Sequence, residues 1–210
     1  TYYKQKKGHA TRIVKLLKNM SDFKDWNPSH FLDTGEMSYI FGLAYDWTYD
    51  YMSQDERDKY AAVLIKKGIE PGQNYIRSYK GQQAYNNNWS AVNCSGIGTA
   101  AIAVFEYDKE LCGQQIADSS RLIPIFINQM APEGGFSEGI SYWTLSWRFI
   151  TNFTSSLKCS TGDDYGITDA NGAKASMFFP MYMKGPSATA DNFTTYNFGD
   201  TYLVEKGVNA

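Results

Sequence analysis

The sequence predicts an all-α fold, an array of helical hairpins wound into a double-layered (α/α) toroid, on three observations. Apolar residues recur at helical spacing along most of the chain. Caps and breakers fall between those runs. Amphipathic helices alternate with helices apolar on nearly every side, as an outer layer enclosing an inner one requires. A chain of 210 residues has room for one large domain.

Each element has its own signal. Residues 9–20 place Ile13, Leu16, Leu17 and Met20 on one face and end at the polar pair Ser21–Asp22. Asp33, with Glu36 three residues later, reads as a capping box. It opens GEMSYIFGLAYDWTYDYM, which is apolar nearly all round, so both its faces should be covered. Ser53 with Glu56 repeats the start signal for DERDKYAAVLIKKGIE, which Pro71–Gly72 should stop. After a polar loop over 73–85 comes NNNWSAVNCSGIGTAAIAVFEY, whose Ala91, Ser95, Gly96, Gly98 and Ala100 permit close helix packing. Residues 114–130 form an amphipathic helix with a kink expected at Pro124. The loop APEGGFS leads into EGISYWTLSWRFITNFTSSLKC, and a last helix is expected around 164–183. The tail turns β-like at YNFGDTYLV. Residues 1–190 thus read as the helical domain, and 191–210 as a tail leading towards a missing β-rich domain.

Composition narrows the partners. With a formal net charge of -2 and a pI near 5.7, the chain lacks the basic stripe of a nucleic-acid binder. No apolar run is long enough to cross a bilayer, so no membrane is expected as partner. Aromatic residues reach 16%, enough to fill a core and leave rings to line a cleft. Cys94, Cys112 and Cys159 are widely spaced and unpatterned, which reads as buried free thiols rather than disulfides or a zinc site. No cofactor or metal is expected. The start at Thr1, without a methionine, reads as a processed or truncated chain.

Two stretches carry candidate chemistry. In NNNWSAVNCSG, residues 86–96, amides enter a run that reads as a buried helix, where each unpaired polar atom is costly. Asn86 and Asn87 read as loop and cap residues, and Asn93 as an amide paired inside the bundle. In PEGGFSEGISYW, residues 132–143, Ser137 reads as an N-cap that puts Glu138 in the first helical turn, with Tyr142 four residues on along the same face. A charged first turn and a core tyrosine are the common outcome of that spacing. The preceding glycines, however, let a helix N-terminus approach a ligand closely. Trp143 and Trp147 fit core packing, whereas Tyr85 and Trp89, four apart beside a polar loop, suit stacking on sugar rings. Asp46 and Asp200 are acids in apolar surroundings, and Glu138 with Asp46 or Glu133 is the pair a glycoside hydrolase would use. The sequons at Asn88, Asn93, Asn152 and Asn192 read as chance, since two fall in helices expected to be buried.

FLDTGEMSYIFGLAYDWTYDYMSQDER, NNNWSAVNCSG, PEGGFSEGISYW and YNFGDT, in that order between about residues 31 and 202, resemble the helical domain of heparinase II/III-like polysaccharide lyases. The resemblance implies an incomplete (α/α) toroid followed by a β-sandwich, in a bacterial enzyme that is secreted or periplasmic. It implies β-elimination at a uronic acid of an acidic polysaccharide. Carried over by motif, Asn88 neutralises the substrate carboxylate, and Tyr142 removes the C5 proton and protonates the leaving oxygen. The expected substrate-binding set is Tyr85, Trp89, Glu138 and Arg148, although Arg148, six residues beyond Tyr142, lies off that residue's face. Several family members have a histidine after the asparagine, where this chain has Trp89, and a further histidine later in the chain. Here only His9 and His30 occur, both early, and His30 reads as structural. A hydrolase on the same architecture and a non-catalytic carbohydrate-binding module are the alternatives.

Overall fold

The computed structural model describes residues 2–78, 86–185, 192–196, 198–200 and 204–206. The fold is all-α. Helix α1 spans Tyr2–Asp22, α2 Phe31–Thr48 and α3 Gln54–Leu64, followed by a π-helical turn at Ile65–Ile69 and α4 at Glu70–Arg77. Helices α5 (Asn88–Ala103), α6 (Lys109–Asn128) and α7 (Ile140–Thr161) are followed by two single-turn helices, α8 (Ala173–Ser176) and α9 (Phe179–Tyr182). Two short strands, β1 (Asn192–Thr194) and β2 (Val204–Lys206), pair antiparallel.

Helices α2, α5 and α7 lie side by side and run parallel. Gly35 of α2 meets Asn93 of α5 and, two turns on, Gly42 meets Ala100. Asn88 at the start of α5 meets Glu138 just before α7, and Gly98 meets Phe153. The remaining long helices run antiparallel to these. Tyr60, Gly68 and Tyr75 descend along α2 against Phe41, Ser38 and Phe31 in turn. Along α6, Cys112 lies near the Val104 carbonyl, and the Ser119 hydroxyl donates to the Cys94 carbonyl (2.7 Å). The small residues permit this spacing: a Cβ on Gly96 would sit 2.5 Å from the Gly35 carbonyl oxygen. One consequence governs the rest: the N-termini of α2, α5 and α7 share one end of the array.

Several elements differ from expectation. The Ser53–Glu56 capping box is present with both of its bonds, but Asp33 is not an N-cap. Backbone bonds from His30 to Asn27 and from Asp33 to His30 (both 3.0 Å) start α2 at Phe31 instead. The Asp33 carboxylate then accepts from the Asn27 amide (2.7 Å) and lies 3.2 Å from His30 Nδ1. Pro71–Gly72 does not stop the helix. The Glu70 N–H donates to the Ile65 carbonyl in a widened turn, which puts Pro71 in the first turn of α4, where its missing N–H matters little. Residues 73–77 of the expected loop are therefore helical, while 79–85, Tyr85 included, lie outside the described residues. Helix α2 is not covered on both faces, since Ile40 and Trp47 are 52% and 68% exposed.

The helix expected over 164–183 is replaced by turns and the two short helices. Gly162 ends α7 in a left-handed conformation (φ 84°), and the side chains of Asp163 and Asp164 accept from the backbone N–H of Tyr165 and Gly166. Helix α6 starts earlier than expected, capped by Asp108, and runs through Pro124. Cys94 and Cys112 are buried free thiols as expected, but Cys159 is exposed, on the open side of α7. Among the described residues of YNFGDTYLV, only Val204 falls in a strand; 199–200 form a turn, and 197 and 201–203 lie outside the described residues.

Candidate active site at the helix N-termini

The site is built at the end where α2, α5 and α7 begin. Asn87 is the N-cap of α5, its side chain accepting from the Trp89 N–H (3.0 Å), as the sequence predicts. Ser137, however, caps nothing. Phe136–Gly139 closes a turn through the Gly139 N–H (3.0 Å), and Gly139 takes a φ of 89°, a left-handed value that glycine accepts freely. Helix α7 therefore opens at Ile140 with Gly139 as its cap, and Glu138 stands outside the helix. Glu138 and Tyr142 do not share a helical face.

Glu138 is instead turned onto α5. One carboxylate oxygen accepts from the Asn88 backbone N–H (2.7 Å), and the other accepts from Asn88 Nδ2 (2.9 Å). A carboxylate on the exposed N–H groups of a helix start is favoured by both hydrogen bonding and the helix dipole. The tail joins this turn, because the Asp200 N–H donates to the Glu138 carbonyl (3.1 Å). Gly199 makes the approach possible: a Cβ there would lie 2.8 Å from the Glu138 carbonyl carbon.

Asn88 is 4% exposed, and its Oδ1 has no hydrogen-bond partner. Its Nδ2 carries two hydrogens, and Glu138 takes one. Trp89 is half-buried, with its ring edge-on to His30 at 5.0 Å between centroids. So His30, which the sequence marks only as structural, faces the very tryptophan that stands where a histidine is expected. No local pattern carries that contact; it follows from the packing of α2 on α5. Tyr142 lies in the first turn of α7, partly buried against the core. At helical spacing it heads the stripe continued by Ser146, Phe149 and Phe153, which faces α5 and α2.

Other candidates lie elsewhere. Arg148 is exposed, about 9 Å further along α7 than Tyr142. Its guanidinium sits 5.5 Å from the Phe149 ring centre and beside Tyr39 of α2. Burial pushes the Tyr39 phenol above its ordinary range, with Arg148 pulling the other way. Asp46 lines a groove towards the C-terminal ends of α2, α5 and α7. That is roughly 20 Å from the N-terminal end by helical rise, beyond any two-carboxylate mechanism with Glu138. Glu133 is exposed in the preceding turn. Trp143 and Trp147 both donate from Nε1 to Ser176 Oγ (2.6 and 3.0 Å), which ties α8 to α7. Asn93 is buried beneath Gly35 with neither amide atom bonded, in place of the internal pairing expected of it.

No family model matches the chain, and no curated protein matches it significantly. Among the described residues no cluster of His, Cys, Asp and Glu could hold a metal ion, and no helix is long and apolar enough to cross a membrane.

Proposed function

We propose that the chain is the helical part of an (α/α)-toroid polysaccharide lyase, a secreted or periplasmic enzyme that cleaves a uronate-containing polysaccharide by β-elimination. The observation that supports it most is the bond between Asn88 and Glu138, which joins the NNNW and EGISY motifs at one end of three parallel helices. In this reading Glu138 is a positioning residue. It fixes the Asn88 amide with one N–H and leaves the second for the substrate carboxylate. The C5 proton of a uronate is too weakly acidic while its carboxylate keeps a full charge. A neutral amide strengthens its bond as negative charge moves towards an enolate, which is the differential binding that catalysis needs. Tyr142, on the adjoining first turn, removes the C5 proton and returns one to the leaving oxygen. Trp89, edge-on to His30, offers an aromatic surface to a sugar ring.

Incubation with a panel of uronate polysaccharides tests this directly, because elimination creates a conjugated unsaturated uronate that absorbs in the ultraviolet. The expected result is new absorbance with wild type and none with Tyr142→Phe, which retains binding. An active Tyr142→Phe variant refutes the assignment of the base. New reducing ends without absorbance would replace the lyase with a hydrolase.

A further inference from the structure

We infer that Tyr39, Arg148 and Asn152 form a separate recognition subsite, which holds a carboxylate of the sugar chain in the groove between α2 and α7. The proposal rests on the lyase reading for the identity of the chain bound, but not for the geometry. Tyr39 packs its ring 4.6 Å from that of Phe149, and the Arg148 guanidinium lies over the same ring at 5.5 Å. Asn152, one turn on from Arg148, donates from Nδ2 to the Arg148 carbonyl (2.8 Å), which places its amide beside the Tyr39 hydroxyl. Side chains from two helices therefore pack around one buried aromatic ring. Gly96 of α5 lies directly beneath, close enough that a Cβ there would reach 3.3 Å from Tyr39 Cβ.

Arg148 forms no ion pair with an acid among the described residues, whereas Arg77 and Arg121 both bind Asp118. A guanidinium that presents a planar fork of donors without a carboxylate is matched in shape and charge by one. Tyr39, a phenol that stays protonated near neutral pH, adds a hydroxyl donor to that fork.

A pocket opens further along the same two helices. At helical spacing after Tyr39 come Leu43 and Asp46, and after Asn152 come Ser155 and Ser160; with Thr99 of α5 beneath, these line one pocket. Its walls combine the hydroxyls of Thr99, Ser155 and Ser160 with the apolar Leu43, Ile102 and Ala103, a mixture suited to a sugar ring, and its one acid, Asp46, lies at the end away from Arg148. A carboxylate is drawn to the Arg148 end and repelled from the Asp46 end, so the groove has a direction. Arg148 also lies about 9 Å along α7 from Tyr142, which makes it a neighbouring subsite and not part of the reacting one.

The test is equilibrium binding by calorimetry of an oligouronate and of the same oligomer after carboxyl reduction, with wild type, Arg148→Gln, Arg148→Lys and Tyr39→Phe. Arg148 is exposed and Tyr39 only half-buried, and thermal unfolding checks that each variant folds. Arg148→Gln should weaken oligouronate binding about tenfold to a hundredfold and leave binding of the reduced oligomer unchanged. Arg148→Lys, with charge but no fork, should fall between, and Tyr39→Phe should lose severalfold. Equal oligouronate affinity in wild type and Arg148→Gln overturns the subsite, as does a wild type that binds no oligouronate. Ultraviolet absorbance separates the two proposals. Turnover with an unchanged KM in Arg148→Gln removes the subsite and leaves the lyase. Arg148-dependent binding without any absorbance removes the lyase and leaves the subsite.

Discussion

Removal of the Glu138 carboxylate should loosen the start of α5 by an amount the geometry fixes. The carboxylate accepts two charge-assisted bonds from Asn88, at 2.7 and 2.9 Å, and it is only half-buried. Hydrogen bonds to charged groups contribute about 1.5–3 kcal/mol each, and partial exposure favours the lower end. Two such bonds, with a modest dipole contribution at the helix start, give about 3 kcal/mol for Glu138→Ala. Asn88 is 4% exposed, so water does not readily replace the lost acceptor. Glu138→Gln keeps an acceptor but loses the charge, and should cost roughly half as much. For a domain of this size, 1 kcal/mol corresponds to about 2–4 °C in Tm, so Glu138→Ala should unfold about 6–12 °C lower. Urea unfolding followed by circular dichroism gives the free energy, with an unchanged m-value expected. A double-mutant cycle with Asn88→Ala isolates the side-chain bond, since the backbone bond survives that substitution. The coupling energy should be about 1.5 kcal/mol. A Glu138→Ala variant within about 0.5 kcal/mol of wild type, or a coupling energy of zero, would show that the bridge holds nothing together.

Two further outcomes follow from burial and spacing. Burial pushes the Cys94 and Cys112 thiols up to about 12, and neither is at the surface. A thiol reagent at pH 8 should therefore label the exposed Cys159 quickly and the other two only on unfolding; rapid labelling of more than one thiol in the folded protein contradicts the packing. Gly96→Ala would drive a methyl group into the Gly35 carbonyl, which as backbone cannot step aside. It should destabilise the protein by about 3 kcal/mol, and a Tm within 2 °C of wild type, read against about 2–4 °C per kcal/mol, would show that α2 and α5 do not pack this closely.

What could be read in the sequence was what a few neighbouring residues decide among themselves. The Ser53–Glu56 box and the Asn87 cap form because donor and acceptor lie within three residues of one another. The small residues of α5 announced close packing because nothing else explains so many along one helix. Asp33 and Ser137–Glu138 carried equally good local signals, and these failed because the two carboxylates found other partners. Asp33 is engaged by Asn27 and His30, and Glu138 by a helix start fifty residues earlier in the chain. Pro71 misled for another reason: a π-turn beforehand moves it into a position where proline does little harm. The contact of His30 with Trp89, and the packing of Tyr39 on Phe149 beneath Arg148, depend on how α2, α5 and α7 lie against one another. No periodicity in a single helix encodes that.

The two proposed sites answer different demands on the same substrate. Binding and catalysis pull in opposite directions at a uronate: a full positive charge on the reacting carboxylate would stabilise the ground state as much as the enolate and leave the barrier untouched. At the proposed reacting end the group is an amide, Asn88, whose Nδ2 donates to the Glu138 carboxylate, which keeps the amide oriented. The dipoles of three helix starts favour an anion there without supplying a salt bridge. In the proposed subsite the guanidinium is displaced by about 9 Å along α7, where it would hold a carboxylate that does not react and could act with full strength on the ground state. On this reading, Arg148→Gln should raise KM with kcat almost unchanged, while Asn88→Ala should lower kcat with a smaller change in KM. The reverse pattern in steady-state kinetics would mean that the acidified proton belongs to the sugar at Arg148, and that the reacting position lies between α2 and α7 instead.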